Sequence, residues 1–201
     1  VQQASFDSKL QHIESQLVDI TDNEKPQTVS LTINKVDAET GKNEAQGYGS
    51  LAGAKYDVFF YDSIKSEDIK VATLTTDERG FARYEGGKPG LYKVVETDAS
   101  KGYILDKEAH EIKARITEVN TANFDYVVTS NETPITVEID KTTIDKNGDK
   151  ITLEGAELQL LDKDKKVIET FTSDKTAHVI KGLTPGKYYI RETKTPEGSL
   201  Q

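Results

Sequence analysis

Gly90-Leu91-Tyr92-Lys93-Val94-Val95-Glu96-Thr97, opened by a Pro89-Gly90 turn, reads as a β-strand. Strand side chains alternate between faces, so Tyr92, Val94 and Glu96 share one face and Lys93 and Val95 the other. The Tyr92/Val94 face is a candidate core face. It ends on an acid, and a buried ionised carboxylate is costly unless it is paired or protonated. Taken alone, the simpler reading is a strand-end glutamate that reaches solvent.

A second copy shifts that balance. Pro185-Gly186-Lys187-Tyr188-Tyr189-Ile190-Arg191-Glu192-Thr193 repeats the frame, with Tyr188, Ile190 and Glu192 on one face. Both copies run on to a glycine, Gly102 and Gly198. Two further strands each carry a lysine at the end of a core stripe. Leu31, Ile33 and Lys35 share a face in the first, and Ile135, Val137, Ile139 and Lys141 in the second. A snorkelling lysine explains one such strand; two, each followed by a strand with an inward glutamate, call for pairing. Leu51-Ala52-Gly53-Ala54 parallels Leu153-Glu154-Gly155-Ala156, and Leu74-Thr75-Thr76-Asp77 parallels Phe171-Thr172-Ser173-Asp174. Short strands separated by polar turns such as Asn147-Gly148 and Arg79-Gly80 predict an all-β fold of tandem sandwiches.

The predicted units are 27–133 and 134–201. After Gly102-Tyr103 the first has room for two more strands, including Phe124 to Asn131, whereas after Gly198 only Ser199-Leu200-Gln201 follow. The second unit is therefore expected to lack its terminal strand or strands. Residues 1–26 admit two readings. Thr21-Asp22-Asn23-Glu24-Lys25-Pro26 resembles Thr129-Ser130-Asn131-Glu132-Thr133-Pro134, which makes the segment the tail of a preceding domain. Phe6, Leu10, Ile13, Leu17 and Ile20 also fall at helical spacing, which predicts a helix over 5–20.

Composition narrows the classes. A net charge of -9 argues against nucleic acid or an anionic membrane as partner. No apolar run approaches transmembrane length and no signal peptide opens the sequence. The absence of cysteine excludes disulfides and thiolate metal sites. Asp145, Asn147 and Asp149 fit an Asn-Gly hairpin turn better than a Ca²⁺ loop, because the glycine is misplaced and Ala156 stands at the twelfth position. His12, His110 and His178 lack ligand spacing, and Gly47-Tyr48-Gly49 lacks the context of a dinucleotide fingerprint. No cofactor or metal is expected. Asn131-Glu132-Thr133 is formally a glycosylation sequon.

The lysine strands, the Gly-Ala strands (Gly53-Ala54, Gly155-Ala156) and the Tyr92–Gly102 and Tyr188–Gly198 boxes together resemble Cna protein B-type domains. These are the prealbumin-like, SpaA-like sandwiches of Gram-positive surface adhesins and pilins. The resemblance implies an intramolecular isopeptide bond between a lysine of the first strand and an Asn or Asp of the last, promoted by the box glutamate. Carried over, Lys35 is the nucleophile, Glu96 the catalyst and Asn131 the acceptor, with Asp125 as the runner-up. Lys141 and Glu192 match in the second unit, whose acceptor is missing from the chain.

The residue types suit that chemistry. Desolvation favours a neutral amine and a protonated glutamate, and the acid can shuttle protons between amine and acceptor. The fold replaces an encounter with a fixed geometry. The event happens once per molecule, so no enzyme in the turnover sense is expected. Two functions follow. The first is a structural stalk in an extracellular, cell-wall-attached adhesin or pilus, with neighbouring domains of the same protein as partners. The second is a module that binds host matrix protein, glycan or other cells, for which exposed aromatics such as Tyr84 and Tyr189 would speak. The matching Asn23 and Asn131 motifs also raise strand donation between copies.

Overall fold

The computed structural model describes residues 26–118 and 121–196. The helix considered for 5–20 and the Asn23 motif lie outside the described residues.

The first sandwich opens with β1 (Thr28–Asp37), whose inward Val29, Leu31, Ile33 and Lys35 are all buried. β2 (Lys55–Asp62), β3 (Glu67–Thr75), β4 (Phe81–Gly87), β5 (Gly90–Asp98), β6 (Ala109–Ala114) and β7 (Asn123–Glu132) follow. One sheet has the order β4-β1-β7 and the other β3-β2-β5-β6. The first and last strands are thus neighbours, and they run parallel, with Lys35 aligned to Ser130 and Val36 to Asn131. The core fills the space between sheets with Val29, Leu31, Ile33, Tyr56, Val58, Tyr92, Val94 and Val128. Period-two alternation builds it: β5 buries Tyr92, Val94 and Glu96 while Leu91, Lys93 and Val95 lie outside that set.

The second group of strands is β8 (Thr136–Ile139), β9 (Thr142–Ile144), β10 (Lys150–Thr152), β11 (Glu157–Leu161), β12 (Val167–Thr172), β13 (His178–Lys181) and β14 (Tyr189–Lys194). β11 sits between β12 and β14 as β2 sits between β3 and β5, and β8 pairs with β13 as β1 pairs with β4. Asn147-Gly148 does turn the β9–β10 hairpin, with Asp145 Oδ1 accepting from the amides of Asn147 (2.8 Å) and Asp149 (2.9 Å). The repeat extends to hydrogen bonds. Thr76 Oγ1 donates to the Leu51 carbonyl (2.6 Å) and accepts from the Ala54 amide (3.1 Å). Ser173 Oγ does the same with Leu153 (2.6 Å) and Ala156 (3.0 Å). Among the described residues β8 has no second neighbour, so nothing occupies the place that β7 holds beside β1. Ile190, on the predicted core face of β14, is accordingly 46 % exposed.

Candidate functional site

At the end of the first sandwich β1, β5 and β7 bring three charged side chains into its interior. Lys35 is 0 % exposed, Glu132 0 % and Glu96 3 %. Lys35 Nζ donates to Glu96 Oε1 at 3.0 Å and lies 2.8 Å from Glu132 Oε2. The first contact joins the two residues that the sequence singled out. The second is with a residue that sequence reasoning missed.

The expected acceptors are not at the lysine. Asn131 and Asp125 are exposed, and Asp125 accepts from Arg83 Nη2 at 2.5 Å on the outer face. The physical reason is strand alternation. β7 turns Val128, Ser130 and Glu132 inward, so Val127, Thr129 and Asn131 point out. The parallel register fixes this phase, because Lys35 and Ser130 are partners and Asn131 falls opposite Val36. The apolar side chains on the inner phase of β7, Phe124, Tyr126 and Val128, which pack on the core, were the available signal.

The surroundings of the two glutamates differ. Glu132 Oε1 accepts from Tyr56 Oη (3.0 Å) and Ser130 Oγ (2.7 Å). Its Oε2 has no hydrogen-bond donor, because Lys35 approaches it outside hydrogen-bonding angles. Burial pushes the Tyr56 phenol far up, so it remains a donor. Glu96 Oε2 accepts from the Asp106 amide at 2.7 Å. Burial nevertheless raises the Glu96 carboxyl, outweighing the lowering effects of that amide and of Lys35, and the Glu132 charge adds to the rise. One proton on Glu96 leaves the Lys35 ammonium facing a single carboxylate, so the enclosed charges cancel. Tyr103 closes the pocket, its ring centroid 5.6 Å from Lys35 Nζ and its hydroxyl donating to Asp37 Oδ2 at 2.9 Å.

A pH dependence follows. A native carboxyl raised above its unfolded value contributes stability that is present in acid and is lost as pH rises through the native pKa. Unfolding midpoints in urea, compared at stepped pH above 4.5, the ordinary value, should therefore fall more steeply for the parent than for Glu96→Gln. Equal slopes would contradict a protonated Glu96.

In the second group Lys141 Nζ and Glu192 Oε2 also pair, at 2.8 Å, but their side chains are 29 % and 30 % exposed. The same lysine and glutamate meet there without, among the described residues, a third strand to cover them. Tyr84 packs on the core, and Tyr189 is half-buried with Lys187 Nζ 5.0 Å from its ring centroid. His178 Nε2 contacts Glu169 Oε1 at 2.7 Å and stacks on Phe171. Among the described residues no cluster has the makings of a metal site.

Two prealbumin-like β arrangements in tandem, each with a lysine of its first strand against a glutamate of a later one, define the class. The SpaA prealbumin-like fold domain matches residues 29–150 and 137–200, and the chain belongs to that family. No curated protein sequence matches it. Among solved structures the Bacillus anthracis TIE protein is 25 % identical with a TM-score of 0.50, over 86 % of this chain and 29 % of that one. A C-terminal fragment of the pilus adhesin SpaC from Lactobacillus rhamnosus GG is 18 % identical with a TM-score of 0.50, over 87 % of this chain and 78 % of that one. A streptococcal ancillary pilin is 17 % identical with a TM-score of 0.41, over 90 % of this chain. The chain thus spans 29 % of the TIE protein chain and 57 % of the ancillary pilin chain. The structural neighbours include pilins and adhesins of Gram-positive bacteria.

Proposed function

We propose that this chain is a load-bearing stalk module of an extracellular, wall-attached adhesin or pilus, and that its first sandwich is locked by a Lys35–Glu132 isopeptide bond promoted by Glu96. The observation that carries the reading is the fully enclosed Lys35 Nζ, 3.0 Å from one glutamate and 2.8 Å from another. Family membership and likeness to pilins and adhesins support the stalk. With a carboxylate acceptor the leaving group is water, where an asparagine would release ammonia.

The step balances as follows. Glu132 Oε2 takes a proton from the Lys35 ammonium 2.8 Å away, and the neutral amine attacks Glu132 Cδ. Charge developing on Oε1 is held by Tyr56 and Ser130, which already point at that atom. Protonated Glu96 then gives its proton to Oε2 and takes the second proton from the attacking nitrogen, so Oε2 leaves as water and Glu96 ends as it began. An amide replaces an ammonium and a carboxylate, which removes enclosed charge.

A pair of variants separates Glu132 from the residue beside it. Glu132→Ala should abolish the faster migration of the looped chain in a denaturing gel. Asn131→Ala should leave it intact and change stability by no more than about 0.5 kcal/mol, as for an ordinary exposed position. The reverse pattern would return the acceptor role to Asn131. Tyr56→Phe should slow bond formation during refolding, because it removes a donor from Oε1. In the second unit the edge of β8 that has no neighbour among the described residues is where a covering strand would add. Elution as a monomer at high concentration would exclude donation of that strand between copies.

A further inference from the structure

We infer that Gly47-Tyr48-Gly49 is a key that locks the second sandwich onto the first, so that the two form a rigid joint directly over the Lys35 centre. This surface is separate from the cross-link and does not depend on its formation. The partner it fits is the Lys181-Gly182-Leu183 turn of the adjoining module.

The two backbones approach too closely for side chains. A Cβ on Gly47 would stand 2.2 Å from the Lys181 carbonyl oxygen, and one on Gly182 would stand 2.2 Å from the Gly49 nitrogen. Both glycines also have positive φ, at 55° and 75°, which L side chains rarely adopt. Such contact permits a direct backbone bond, from the Tyr48 amide to the Lys181 carbonyl at 3.0 Å. Tyr48 then reaches across. Its ring packs on the buried Leu160, Ile180 and Leu183, and its hydroxyl donates to Glu169 Oε2 at 2.8 Å. Lys181 returns an ion pair to Glu39 of the first sandwich.

The connecting segment is held from both sides. The Ile104 amide donates to the Thr133 carbonyl at 3.0 Å, the Ile135 amide to the Gly102 carbonyl at 2.8 Å, and the Gly182 amide to the Ile135 carbonyl at 2.8 Å. Tyr103, which forms a β-bridge with Pro134, is also the residue over Lys35. Domains joined through small polar interfaces move relative to one another by default. Here a close backbone seam, an apolar plug and a short bonded linker oppose that motion.

The absence of cysteine makes the test clean. Thr75→Cys and Thr172→Cys, exposed at equivalent strand positions of the two units, take one spin label each for pulsed dipolar distance measurement on the full chain. The parent should give one narrow distance distribution. Gly182→Val should widen it at least about twofold, toward the freedom of an unclamped linker. Tyr48→Ala, which leaves the backbone of both sandwiches unstrained, should widen it as well. A broad distribution in the parent, or a narrow one retained in Tyr48→Ala, would overturn the inference.

Discussion

Lys35→Ala is expected to lower the unfolding free energy of the first sandwich by at least about 4 kcal/mol at neutral pH. The Lys35–Glu132 link closes a loop of roughly 100 residues, for which the chain-entropy argument gives about 4–5 kcal/mol. Removing the cation also leaves Glu96 and Glu132 enclosed together, and breaking a buried ion pair typically costs about 3–5 kcal/mol. The two contributions overlap, because the amide and the ion pair do not coexist. Either is a large share of the roughly 5–15 kcal/mol that holds a domain folded. Urea denaturation followed by near-ultraviolet signals should show the first sandwich unfolding far earlier in the variant. The double variant Lys35→Met, Glu132→Met should recover part of the loss, since neutral packing replaces the charges. A midpoint unchanged in Lys35→Ala would remove both contributions from the account.

The second large effect is mechanical. Tension applied to the ends of the chain enters the first sandwich at the start of β1 and leaves at the end of β7, and these two strands lie side by side and parallel. With Lys35 joined to Glu132, tension runs along β1, across the amide and straight into the Thr133-Pro134 linker. The residues between Lys35 and Glu132 are bypassed. Pulling the parent chain from its ends should therefore lack about 350 Å of extension, the length of roughly 100 residues at about 3.5 Å each. Glu132→Ala should restore that extension in one step. The second sandwich, where Lys141 meets only Glu192 among the described residues, should extend fully in both proteins. Full extension of the first sandwich in the parent would contradict a covalent load path.

Much of this was readable from periodicity. The Tyr92-Val94-Glu96 and Leu31-Ile33-Lys35 stripes set the inner faces of β5 and β1, and those faces lie opposite each other in the fold. Repetition made the pairing of Lys35 with Glu96 legible, because solubility does not call for the same lysine and glutamate twice. β7 was misphased. The resemblance implies an acceptor at Asn131, or at Asp125, which share the phase of Val127 and Thr129. The strand instead buries Val128, Ser130 and Glu132. A one-residue change of phase exchanges every inner side chain for its neighbour. The joint was not legible either. Gly47-Tyr48-Gly49 reads as a loop, and its role depends on a turn more than a hundred residues away in sequence. Local pattern does not carry such a contact.

The measurement that bears most directly on the central claim is the intact mass of the folded chain, followed by peptide mapping. The account predicts a deficit of about 18 Da, one water, carried by a branched peptide that joins Lys35 to Glu132. A full-length mass without deficit, or a deficit of about 17 Da in a peptide joining Lys35 to Asn131, would contradict it.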